Sequence, residues 1–225
     1  HGPGDEAGGA GRPRCLSGRT HGAQEVCRSE QPAGGFDLSS PTASENFHNS
    51  GAMRDLEGFF SNLFSHAGVW RRKIEHDLGY DPLNVGELAT VGFLATCAGQ
   101  LGYSVLTEVV EVENTHNSRG RQDLLIGGKD LPESLAFEFK VGWPTTGEEA
   151  YIVGLLDAAA EDCRQRDPKT CRRIAAAVLV PQVETDGNEI FAACRRGNEA
   201  HAAGYIGGLN PPAMILMREC RPPHH

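Results

Sequence analysis

Residues 121–141 read RQDLLIGGKDLPESLAFEFKV, and this stretch decides the fold. Its flanks, residues 121–126 (RQDLLI) and 135–141 (LAFEFKV), are short apolar-rich runs around GGKDLPE, whose glycines and proline mark a turn, so the stretch predicts a β-hairpin. Side chains alternate across a strand, which sends Leu135, Phe137, Phe139 and Val141 to one face and Glu138 and Lys140 to the other. With the turn centred near Asp130, antiparallel partners have residue numbers summing to about 261, and Asp123 falls opposite Glu138. Two carboxylates brought together on a strand repel, a costly arrangement unless a divalent cation lies between them. A lysine beside them suits a reaction in which an anion binds and negative charge develops.

Outward from the hairpin the pattern stays regular. Residues 103–113 (YSVLTEVVEVE) form a β-branched run that reads as a strand, ending in the polar tip NTHNSRG. Before it, Asn84 suits an N-cap, Glu87 three residues later completes a capping box, and Leu88, Val91, Leu94, Ala95, Ala98 and Leu101 stripe a helix that stops at Gly102. After the hairpin, residues 148–166 read as a helix and 173–180 (RIAAAVLV) as a buried strand ended by Pro181. Residues 189–202 look helical, and 213–220 (AMILMREC) form a last strand. An extra N-terminal helical segment precedes all of this. Leu56, Phe59, Phe60, Leu63, Phe64 and Ala67 share one face, and Trp70, Ile74 and Leu78 continue as a second piece up to Gly79. The expected class is α/β: a mixed central sheet flanked by helices, with the order αβββαβ between Asn84 and Val180.

At the hairpin the chain resembles the PD-(D/E)XK nuclease superfamily, the restriction-endonuclease-like fold. The residues that carry the resemblance are Gln122-Asp123 on one strand and Glu138-Phe139-Lys140 on the next, together with the αβββαβ order. Gln122 stands where the motif has proline, which leaves the acidic residue intact. The resemblance implies a metal-dependent nuclease, most simply a DNA endonuclease. Asp123, Glu138, the Phe139 carbonyl and Glu87 would hold Mg²⁺, for which Mn²⁺ can substitute, and Lys140 would orient the attacking water or stabilise the transition state. It also implies a nucleic acid, DNA first, as partner, and makes a homodimer a possible assembly. Tyr151, behind Glu148 and Glu149, can line the site from the next helix.

Other readings of the same residues stay open. Glu87 as a capping-box glutamate needs no catalytic role. The triad can be a relic or an ion pair in a catalytically inactive member of the fold that binds nucleic acid or a partner protein. Alternating acid and base is also what an exposed edge strand carries, and Glu138 and Lys140 would then only solvate that edge.

Composition bounds the rest. A chain of 225 residues has room for about one domain with extensions. A net charge of −9 excludes coating nucleic acid by bulk charge, so substrate contacts must be local. Basic clusters supply the candidates: Arg71, Arg72 and Lys73; Arg119 and Arg121; Arg172 and Arg173; Arg195 and Arg196. Arg119 and Arg121 are placed best for a backbone phosphate, because they share the strand or its tip with Asp123. No apolar run reaches the roughly 18 residues of a membrane span. The seven cysteines include no C-x-x-C pair and read as reduced thiols, so a cytoplasmic protein is expected. Residues 1–52, rich in Gly, Ser and Pro without apolar periodicity, read as a disordered extension, with the nuclease-like domain at 53–225.

Overall fold

The computed structural model describes residues 47–49, 51–110, 121–145, 149–164, 171–182 and 200–220. The run RIAAAVLV falls in a strand buried on both sides, as a continuous apolar run without alternation requires. This strand, β5 (Cys171–Leu179), lies inside a seven-stranded sheet with β1 (Phe47–Asn49), β2 (Ser104–Val110), β3 (Arg121–Gly127), β4 (Ser134–Gly142), β6 (Ala202–Ile206) and β7 (Ala213–Glu219). The order across the sheet is β1-β6-β7-β5-β4-β3-β2. Among these pairs only β4 and β5 run parallel, which makes the sheet mixed, as expected.

Helices cover both faces. Ile174, Ala176 and Val178 of β5 join Leu135, Phe137 and Phe139 of β4 in a core closed by α1 (Glu57–Leu78) and α2 (Glu87–Gln100). Ala175, Ala177 and Leu179 face the other way, against Ile152, Leu156, Ala159, Ala160 and Cys163 of α3 (Glu149–Arg164). Glu138 and Lys140 share that second face, because their partners on β5 are Ala175 and Ala177. Alanines there leave lateral room for two long polar side chains.

The N-terminal helical segment is one helix rather than two. Its buried stripe runs from Phe59 through Phe60, Leu63, Phe64 and Ala67 to Arg71, and Gly79, at φ 76°, ends it in the left-handed conformation. At Gly68 the chain crosses this helix at close range. A Cβ on Gly208, itself at φ +93°, would lie 2.0 Å from the Gly68 carbonyl oxygen. The crossing is fastened by Arg71. This buried guanidinium holds Asp81 through both oxygens, at 2.9 and 2.6 Å, and donates to the Ile206 carbonyl at 3.0 Å. Asp81 in turn accepts from the Leu83 amide and caps the short turn Pro82–Asn84 that leads into α2.

Four further expectations are corrected. Asn84 belongs to that turn, Gly86 is the N-cap of α2 without a side-chain cap, and Glu87 is the first helical residue, so no capping box forms. Leu88 is exposed, and the buried stripe of α2 is Thr90, Val91, Phe93, Leu94, Cys97 and Ala98. Ala202, expected at a helix end, opens strand β6, while residues 189–199 lie outside the described set. Phe47–Asn49, within the stretch read as an extension, pair with β6 at the sheet edge.

Replacing Arg71 with Met strips the largely buried Asp81 of its counter-ion. Urea unfolding is expected to show a loss of about 3 kcal/mol. Lys73→Ala, which breaks the exposed pair with Asp77, should leave the midpoint unchanged.

Candidate functional site

The ladder between β3 and β4 pairs Leu124 with Phe137, Leu125 with Ala136 and Ile126 with Leu135, the register expected from the turn. It stops one step short of Asp123 and Glu138. There side chains replace backbone partners: Asp123 Oδ2 accepts the Phe139 amide at 2.7 Å, and Gln122 Nε2 donates to the Phe137 carbonyl at 3.2 Å. A residue's N–H and C=O point to the same neighbouring strand, so the Phe139 carbonyl faces the opening that Asp123 enters. Leu124 and Ile126 pack in the core under α1 and α2. By the alternation of the pleat, Asp123 therefore lies on the other face, with Glu138 and Lys140.

Glu138 is 2% exposed on a strand with neighbours on both sides, which overturns the reading of Glu138 and Lys140 as solvation of an edge. Lys140 is half-buried, its Nζ 2.9 Å from Asp162 Oδ2 and 3.9 Å from Glu87 Oε1. Burial works to lower the Lys140 pKa, but the hydrogen bond to Asp162 and the charges of Glu87, Asp162 and Asp123 outweigh it, and the ammonium is held above its ordinary value. Glu87 is raised as well, which for a carboxylate favours the neutral form. Burial raises its pKa, Lys140 lowers it, and Asp123 and Asp162 raise it further, to a net increase. Lys140 thus faces three carboxylates, those of Asp162, Glu87 and Asp123.

Asp123, Lys140 and Glu87 are brought together with Asp162, and Glu138 is buried on the same face of the sheet. Glu87, however, faces Lys140 from the first turn of α2, and among the described residues no three His, Cys, Asp or Glu side chains close up into a ready metal-ligand group. The expected ligand set of Asp123, Glu138 and Glu87 together is therefore not assembled. Asp123 and the Phe139 carbonyl lie beside a β-ladder that has opened, with Glu138 on the same face, oxygen groups of the kind a hard divalent cation takes.

The basic clusters divide. Arg71 is the buried fastening described above, and Arg72 donates to the Gly208 carbonyl. Arg172 bonds Asp55, Glu219 and the Ala52 carbonyl, and Arg173 donates to the Cys163 carbonyl, so Arg71, Arg172 and Arg173 do structural work, while Arg72 stays exposed. Arg121 starts β3 opposite Val110, its side chain outside the described set, as are Arg119, Arg195 and Arg196. Tyr151 lies over Gly142, the next residue on the Glu138–Lys140 row: a Cβ there would come 2.9 Å from its hydroxyl. Glu149 is exposed, and Glu148 is outside the described residues.

Asp162 was not among the sequence candidates. Its signal is weak but real: Ile152, Leu156, Ala159, Ala160 and Cys163 define the buried stripe of α3, and Asp162 borders that stripe.

Comparison of the chain with protein-family models, with curated proteins and with solved structures gives no match.

Glu87 yields a signed pH prediction. Its folded-state pKa lies above the ordinary 4.5, so its contribution to stability is fully present below that value and is lost as pH rises through the folded pKa. Glu87→Gln removes the charge and should therefore stabilise the protein relative to wild type more at about pH 7 than at about pH 4. Paired urea titrations at the two values check this; an equal difference at both would mean that Glu87 is electrostatically neutral in the fold.

Proposed function

We propose that this chain is a metal-dependent nucleic-acid phosphodiesterase, a DNA endonuclease of the restriction-endonuclease-like kind. The observation that supports it most is the β3–β4 register, which brings Asp123 and Glu138 to one face where the ladder opens and sets Lys140 beside them. On this reading Asp123, Glu138 and the Phe139 carbonyl hold Mg²⁺ or Mn²⁺, while Glu87 shapes the field from α2. The bound cation would supply Lewis-acid polarisation of the scissile phosphate and acidify a water.

The chain's own residues have separable tasks. Asp123 both presents a carboxylate and, through the Phe139 amide, fixes the strand that carries Glu138 and Lys140. Glu138 is oriented by burial under α3. Lys140 remains charged and meets the anionic phosphate where charge develops during hydrolysis. Arg119 and Arg121 are the proposed backbone contacts, DNA is the proposed substrate, and a homodimer would allow both strands to be cut.

One observation favours a second reading. Lys140 is already engaged by Asp162 and Glu87, as in a structural ion-pair network, so the chain can equally be an inactive member of this fold that binds nucleic acid or a protein.

Cleavage assays on single- and double-stranded DNA and RNA, with Mg²⁺, Mn²⁺ or EDTA, separate the two. The nuclease reading expects metal-dependent scission. Lys140→Ala should cut about 10²-fold more slowly, about 2.7 kcal/mol of transition-state stabilisation, with DNA affinity little changed. Scission at the wild-type rate in that variant, or none in the wild type under any condition, would support the binding reading.

A further inference from the structure

The mechanism above leaves Asp162 unused, although it makes the shorter of the two ion pairs to Lys140. A lysine ammonium and a divalent cation placed side by side repel each other. Both are positive, and both are attracted to the same acids, since Lys140 feels Glu87 and Asp123 as well as Asp162. A flexible four-carbon stem lets an ammonium swing to whichever carboxylate is nearest. With Glu87 and Asp123 as its only acidic neighbours, Lys140 would settle over the opening at β3 and compete with the metal as a built-in counter-ion. Asp162 lies on α3, a different element from either, and draws the ammonium to 2.9 Å while Glu87 stands at 3.9 Å.

We propose that Asp162 is a positioning residue: it holds the Lys140 ammonium on the α3 side and so leaves the Asp123–Glu138 opening to a divalent cation. This role rests on the metal-dependent reading of the site. Asp162 touches neither the substrate nor the metal and acts only through Lys140. Its side chain is 41% exposed on the outer border of α3, so replacing it leaves the core intact.

The test measures Mg²⁺ binding itself, by calorimetry on the full chain, beside cleavage of a DNA duplex. Asp162→Ala is expected to weaken Mg²⁺ binding about tenfold, because the released ammonium moves toward Glu87 and Asp123. Asp162→Glu, which restores the carboxylate, should recover most of the loss. The decisive arm is the double variant Asp162→Ala/Lys140→Ala. With no ammonium left to misplace, it should bind Mg²⁺ at least as tightly as wild type, a reversal that simple damage to the fold cannot produce. In cleavage, Asp162→Ala at saturating Mg²⁺ should lower kcat and leave KM for DNA within about twofold. Equal or tighter Mg²⁺ binding in Asp162→Ala, or a double variant as weak as the single one, overturns the positioning role while leaving the metal site standing. Absence of any Mg²⁺ binding by the wild-type chain removes the metal reading itself, and this role with it.

Discussion

The bond from the Phe139 amide to the Asp123 carboxylate is the constraint on which the rest of the site depends. A buried backbone N–H must have an acceptor, and at this step of the sheet β3 offers a side chain in place of a carbonyl. Three consequences follow from the substitution. The ladder ends after Leu124 and Phe137, the strands open, and the Phe139 carbonyl is left facing the opening. Fold and candidate chemistry are thereby joined in one carboxylate, whose removal would disturb both.

Around that bond the protein tolerates unfavourable electrostatics. Glu138 is buried beneath α3, Glu87 is raised in pKa by burial and by neighbouring acids, and an ammonium is drawn into the same patch. Elsewhere charge is handled conservatively: Arg71 with Asp81, and Arg172 with Asp55 and Glu219, satisfy one another and tie distant segments together. Local frustration set within an otherwise consistent structure is characteristic of functional sites, where binding of a ligand relieves it. On the proposed reading, that ligand would be a divalent cation.

How much of this was legible in the sequence depends on the range of the interaction. The β3–β4 register could be computed because a hairpin turn fixes the residue sum and the side-chain period is two. The double-sided burial of β5 could be read from RIAAAVLV for the same kind of local reason. Features set by distant contacts could not. Strand β6, AAGYI, has alanines that favour helix by propensity and becomes a strand only through pairing with β7 and β1. The helical segment expected in two pieces is the single helix α1, which the chain crosses closely at Gly68. Arg71 resembled a phosphate contact until Asp81, ten residues on, claimed it. Glu87 looked like a capping residue, but the helix begins at Glu87 itself, after the turn that Asp81 caps. Asp162 left only a weak signal, at the border of the α3 stripe, because its importance comes from where α3 crosses the sheet.

The central claim is that Asp123 and Glu138 jointly hold a divalent cation, and crystals equilibrated with Mn²⁺ test it most directly. The account expects an anomalous-scattering peak within about 2.5 Å of carboxylate oxygens from both residues, with the Lys140 ammonium still at Asp162. A map without such a peak at saturating Mn²⁺, or with the Lys140 ammonium lying between the two carboxylates in its place, would contradict it.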